Sequence, residues 1–253
     1  MTGYPPEDLV LRRQFIDDNL RLLKEVVRKI KGVAAVVGFV DREDGLYNAA
    51  AFVHGGRIVA RHHKILLPNY GVFDENRYFL SGKQANTVVL NGVTVGVNIC
   101  EDIWYPQGPT LAQALVGEAE VIVNISASPY HRGKLRLRED MLATRAVDNQ
   151  VVVAYANAIG GQDELVFDGN SLILDHQGIT VARGKAFEED LVLADVDADG
   201  VARVRQHDSR RARERLKLRR QGVRVDRIVV SSKYRSPQRR PVQEAMAAAP
   251  GPL

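Results

Sequence analysis

Between residues 7 and 31 apolar side chains recur at helical spacing, at Leu9, Phe15, Ile16, Leu20, Leu23, Val26, Val27 and Ile30, and predict one long amphipathic helix. Acids open it, Arg28, Lys29 and Lys31 close it, and Gly32 stops it, in the sense the helix dipole favours. The period then drops to two. Residues 33–40, 47–54 and 57–64 read as strands, the last two joined across Gly55 and Gly56 as a hairpin. Residues 65–86 form a connection too rich in aromatics to be a slack linker, and long connections inside a compact domain usually carry function. Strands at 87–90 and 93–100 follow around Asn91-Gly92. Next come a helix at 109–119, a strand at 121–126, a helix at 135–149 and a strand at 151–158. A Gly-bounded loop, GGQDELVFDG, leads to a meander of short strands at 171–175, 179–183 and 191–196. The pattern is that of an α/β protein that begins on a helix.

The clearest strand ends on the chain's single cysteine. Val93, Val95, Val97 and Ile99 alternate with small or polar residues, Cys100 stands at the carboxyl end, and Asp102, Trp104 and Pro106 break the pattern. Cys100 is therefore expected on or beside a sharp turn, where open α/β sheets place their chemistry. A lone cysteine is more often a small buried hydrophobe than a nucleophile, so its surroundings decide between the two.

Composition narrows the class. With 253 residues, 45% hydrophobic and 26% charged, the chain can bury a sizeable core as one large domain, or as a domain with a tail. One cysteine makes no internal disulfide, and the start of the sequence carries no charged and apolar leader. No apolar run approaches the length of a membrane span, so a cytoplasmic protein with no membrane contact is expected. The net charge of +4 hides an asymmetry, because residues 203–240 alone carry +12 and leave the remainder at −8. Within that basic stretch, residues 209–221 read as a surface helix and 223–230 as a short strand, ahead of a Pro- and Ala-biased end expected to be disordered. The domains drawn from this are 1–202 as an acidic body and 203–253 as a basic linker helix and tail. Without interleaved aromatics or a binding motif, the tail is not expected to hold nucleic acid. His62 and His63 have no companion ligand at metal-binding spacing, so no metal site is expected.

Taken together, KILLPNYGVFDENRYF, NICEDIW, NISASPYHRGK and GGQDELVFDGNS resemble the nitrilase-type glutaminase domain of glutamine-dependent NAD synthetases. TGYPPEDL at the start and ARERLKLRRQG near the end match that family too, so the resemblance covers most of residues 1–222. It implies the αββα four-layer sandwich of the nitrilase (carbon-nitrogen hydrolase) superfamily. It also implies that Cys100 attacks the side-chain amide of glutamine, forming a thioester and releasing ammonia. A thiolate is the right nucleophile only if a cation favours its charge and a base takes its proton. By motif position, Lys64 stands beside the developing oxyanion with the backbone N–H of Glu101 as second donor. Tyr70, Ser128 and Lys134 hold the substrate, and Glu75 braces the lysine and cysteine. Singly, each of these residues has an ordinary reading as a surface charge, turn residue or core edge; their order and spacing favour the site.

The same resemblance marks departures. The family's general-base glutamate lies at the end of an early strand, a few residues before TGYPPEDL, and has no counterpart in the sequence as given. The first strand, helix and second strand are expected to be missing with it. Met1 is then read as an internal methionine, and the unpaired sheet edge predicts poor solubility. The ATP-dependent synthetase domain that follows the basic helix in that family, with its phosphate loop, is not present either. ATP and magnesium would belong to that domain, and no cofactor is expected in this one. Expected partners are glutamine, a synthetase domain or subunit, and further copies of the chain. Two other readings stay open: a stand-alone amidase acting on another small amide, and an inactive glutamine-binding or regulatory subunit.

Overall fold

Two β-sheets stacked face to face, each covered on its outer side by helix, carry the chain in a computed structural model that describes residues 1–233, 242, 246 and 247. A 3-10 turn, Glu7–Leu11, leads into α1, Arg13–Lys29, and the strands β1 (Ala34–Arg42), β2 (Leu46–His54) and β3 (Arg57–His63) form an antiparallel sheet. The second sheet is built from β4 (Ala85–Leu90), β5 (Val93–Ile99), β6 (Val121–Ser126), β7 (Val152–Asn157), β10 (Leu172–Leu174), β11 (Thr180–Arg183) and β12 (Val225–Val229). Its order is β11-β10-β7-β6-β5-β4-β12. The strands β5, β6 and β7 run parallel at its centre. The helices α2 (Pro109–Leu115) and α3 (Lys134–Asn149) cover its outer face, and β8 (Ile159–Gln162) pairs with β9 (Leu165–Asp168) in a separate hairpin. The helices α4 (Ala198–Gln206) and α5 (Ser209–Arg220) follow before β12.

The layers follow from the periodicity. In α1 the buried positions Ile16, Asn19, Leu23 and Val27 form one stripe, and Leu23 and Val27 pack with Phe39, Ala49, Ala51 and Val53 on the outer face of the smaller sheet. The alternate residues of β2 turn inward, where Ala50 and Phe52 meet Val88, Val97 and Ile99 of the larger sheet. Asn19 ties the helix to the strand. Its amide donates to the Val40 carbonyl at 2.7 Å and accepts the Val40 N–H at 3.3 Å, supplying the backbone of β1 with the partners a neighbouring strand would give. The β4–β5 hairpin turns on Asn91 and Gly92, with φ of 52° and 82°, the left-handed pair that matches strand twist.

Several expectations change. The single helix at 7–31 divides at Arg12, which is extended, with φ −89° and ψ 115°. The helix expected over 109–119 stops at Leu115. GGQDELVFDG is not a loop but the β8–β9 hairpin, its turn carried by Asp163 at φ 50°. Residues 191–196 alternate like a strand, but no strand is formed there among the described residues, and Leu191 is 77% exposed. The boundary drawn at 202/203 falls inside α4, and the described part of the basic stretch is built into the body. Arg205 donates to the Gln150 carbonyl, and Arg211 to those of Asn149 and Ala114, capping the carboxyl ends of α3 and α2. The strand β12 then pairs in parallel with β4 at the sheet edge. Most of the end expected to be disordered lies outside the described residues.

Leu142 is fully buried at the centre of the α3 contact, whereas Leu137 on the same helix is 51% exposed. Leu142→Ala should cost about 2–5 kcal/mol in urea denaturation. Leu137→Ala should cost less than about 0.5 kcal/mol.

Candidate active site

The carboxyl ends of β5 and β6 and the exit of β3 converge on one cavity of about 260 Å³ between the sheets, and both Lys64 and Cys100 line it. Cys100 opens a 3-10 turn, Cys100–Ile103, directly after β5, and takes φ 44°. A non-glycine residue in that region is strained and persists only where its surroundings hold it. Here α3 does part of the holding, since Arg145 donates to the carbonyls of Ile103 at 3.1 Å and Trp104 at 3.0 Å. Cys100 is buried, 7% exposed as a residue. Burial pushes its pKa up, Lys64 pulls against that, and Glu75 and Glu101 add to the rise.

Lys64 follows β3 and is 1% exposed. Its ammonium donates to both oxygens of Glu75, at 2.9 and 2.8 Å, and Asn48 adds a bond to the same carboxylate at 3.2 Å. Glu75 is delivered by the aromatic connection after β3, which folds back so that the Phe79 N–H bonds the Glu75 carbonyl at 2.9 Å. The three residues expected to act together are thus joined: nucleophile and cation line one cavity, and the carboxylate sits behind the cation.

The other expected residues stand around this centre without lining the cavity. The Tyr70 hydroxyl donates to Glu101 at 2.8 Å while its ring is 55% exposed against Phe73, so the Glu101 side chain is a tyrosine anchor. Burial and that carboxylate raise the Tyr70 phenol. Ser128 is buried, its N–H bonded to Asn157 at 2.9 Å. Lys134 opens α3 with its ammonium 4.4 Å over the Trp104 ring, and burial, then Arg138, lowers its pKa.

Other residues at the centre gave no signal in the sequence. Tyr4, Asn48 and Ser126 line the cavity, and burial, Glu75 and Cys100 together raise the Tyr4 phenol. Asp102 is fully buried and holds His62 at 2.9 Å, so that His62 has a carboxylate partner and His63 another, Asp41, at 3.0 Å. Asp41, Glu43 and His63 bring their ligand atoms within 4.8 Å of one another, a grouping the sequence spacing did not reveal. It lies on the end of β1, the β1–β2 turn and the end of β3, with Arg61 3.6 Å from Asp41. Arg138, fully buried on α3, makes a two-pronged pair with Asp168 at 3.0 and 3.2 Å behind Ser128. Only its place on the buried stripe of α3 could have marked it.

The carbon-nitrogen hydrolase family profile matches residues 3–206. The chain belongs to that family. It is 46% identical over 213 residues to a glutamine-dependent NAD(+) synthetase from Thermotoga maritima, a match covering 83% of this chain and 37% of that protein. Among solved structures, the glutamine-dependent NAD+ synthetase of Acinetobacter baumannii aligns at TM-score 0.70 with 35% identity, over 74% of this chain and 36% of that one. A carbon-nitrogen hydrolase from Helicobacter pylori aligns at TM-score 0.71 with 19% identity, over 84% and 78%, and shares the fold. This chain of the carbon-nitrogen hydrolase family therefore spans a little over a third of the length of the curated relatives it matches. No helix among the described residues is long and apolar enough to cross a membrane.

Arg138→Met leaves the Asp168 carboxylate buried and unpaired, and should cost about 3–5 kcal/mol in chemical denaturation. The double variant Arg138→Met with Asp168→Leu should recover much of that loss, because no unpaired charge is then left at that position.

Proposed function

We propose that this chain is the ammonia-releasing, glutamine-hydrolysing part of an NAD synthetase, with Cys100 as its nucleophile. The observation that carries the reading is the cavity wall that Cys100 shares with Lys64, whose ammonium Glu75 holds from behind. The Cys100 sulfur attacks the side-chain carbonyl carbon of glutamine, and the C=O electron pair moves onto oxygen. That oxyanion lies between the Lys64 ammonium and the backbone N–H of Glu101. One such donor contributes ~2.7–4 kcal/mol to the transition state. Collapse breaks the C–N bond, the proton given up by the Cys100 thiol passes to the nitrogen, which leaves as ammonia, and water then cleaves the thioester, giving glutamate and restoring the thiol. Tyr70, Ser128 and Lys134 would hold the amino-acid end of the substrate. The synthetase domain or subunit that would consume the ammonia, with its ATP and magnesium, is a partner by the same reading, as is a second copy of the chain in the cytoplasm.

Turnover by the chain as given is proposed to be impaired. The general-base glutamate that the resemblance implies has no counterpart in it. Of the carboxylates beside the thiol, Glu75 is engaged by Lys64 and Asn48, and Glu101 by Tyr70. A positioned base is worth ~10²–10⁴ in rate. A thiol whose pKa is raised by burial reacts faster as pH climbs toward and past the ordinary thiol range, so labelling should rise with pH and show no plateau near neutrality.

Incubation with an electrophilic glutamine analogue should add its mass to the peptide carrying Cys100. Ammonia release should prefer glutamine over a panel of small amides. Lys64→Met should slow labelling by about 10²-fold or more. A label elsewhere than Cys100, or no preference for glutamine, would refute the proposal; the second outcome would leave a general amidase.

A further inference from the structure

The Asp102 carboxylate is fully buried, and both its oxygens are in use. Oδ1 accepts the backbone N–H groups of Ile65 at 3.1 Å and Leu66 at 2.9 Å. Oδ2 accepts the N–H of Ile99 at 3.0 Å and lies 2.9 Å from Nε2 of His62. His62 Nδ1 has no partner among the described residues, so the ring hydrogen belongs on Nε2, where it donates to Asp102. A single anion therefore gathers four donors.

Those donors come from two pieces of chain that meet only through the fold. His62, Ile65 and Leu66 flank Lys64 at the exit of β3. Ile99 immediately precedes Cys100 at the end of β5. In the larger sheet β5 is paired with β4 and β6, and β3 lies in the other sheet, so no ladder of backbone bonds sets the distance between the two ends. Asp102 supplies that connection from within the nucleophile's own turn. His62, in β3, precedes Lys64 by two residues, so the strand end that leads into the lysine is the one fixed to the carboxylate.

We propose that Asp102, oriented by His62, is the positioning residue that sets the Lys64 ammonium beside the Cys100 sulfur. The inference rests on the reading of Cys100 and Lys64 as nucleophile and oxyanion cation. Only a carboxylate satisfies all four donors; an asparagine amide would turn an N–H toward at least one of them. The groups facing the sulfur, Lys64, Glu75, Glu101, Lys134 and the phenols of Tyr4, Tyr70 and Tyr155, are all left in place by the variants below.

The test is the pH profile of Cys100 alkylation by iodoacetamide, read with the thermal midpoint and, for glutamine, the division between kcat and KM. Asp102→Asn should slow alkylation at pH 8 by about tenfold and move the whole profile to higher pH by about one unit. Its kcat should fall with little change in KM. His62→Leu should shift the profile the same way, and His62→Gln, which keeps a donor for Asp102, should restore most of it. If Asp102→Asn and His62→Leu lower the thermal midpoint but leave the profile superimposable on that of the unaltered chain, Asp102 is only a structural residue and the inference is overturned. His62→Leu, with His62→Gln as its rescue, decides alone should Asp102→Asn not fold. The alkylation readout needs no glutamine, so a shifted profile in a chain that releases no ammonia would uphold this inference while removing the proposed activity.

Discussion

A lysine and a glutamate buried between two sheets constrain most of what surrounds them. Desolvating two charges costs several kcal/mol per ion, and mutual attraction offsets that only when the geometry is good and the remaining hydrogen-bonding capacity is met. Lys64 meets both oxygens of Glu75, and Asn48 satisfies the carboxylate further. The long connection after β3 is shaped by this need. It must leave the sheet, present Glu75 and return, and it is pinned on both sides of the lysine: the Lys64 N–H bonds the Asn48 carbonyl, and the Gly82 N–H bonds the Lys64 carbonyl, each at 2.8 Å. Its aromatic residues serve as weight to hold the return, with Phe79 buried against Val10, Ile16 and Val40.

The parallel centre of the larger sheet does the complementary work. The strands β5, β6 and β7 all end on the same side, so Cys100, the segment from Ser126 to Ser128, and Asn157 are brought near one another by topology alone. Behind them a chain of buried amides, Asn98 to Thr110 at 2.9 Å and Asn124 to Asn98 at 2.7 Å, replaces apolar packing with directed bonds. Such a network fixes strand ends in a way that interchangeable methyl groups do not.

What was legible in the sequence was whatever depends on period and local chemistry. The strand ending at Cys100, the hairpin at Asn91-Gly92 and the α3 helix lie close to where their patterns placed them, because one buried face per element suffices to fix each. The four-layer α/β architecture followed from the motifs. The parts that were not legible depend on distant partners. Asp102 looks like any acid in a turn until β3 arrives to donate to it. Arg138 is a charge in a charged helix until Asp168 is found opposite. Residues 191–196 carry the alternation of a strand, and among the described residues that alternation alone does not make one; the β8–β9 hairpin was hidden because its glycines read as breaks.

Arg205 and Arg211 carry a wider lesson about basic sequences. Their guanidinium groups are turned inward onto carbonyls at the ends of two helices, and Arg215 is paired with Glu118 at 2.8 Å. Three of the cations that make residues 203–240 so basic are thereby consumed as mortar between secondary-structure elements, and project far less field into water than a formal count suggests. The region owes its composition in part to masonry, and its attraction for polyanions is correspondingly weaker than the arithmetic of arginines implies.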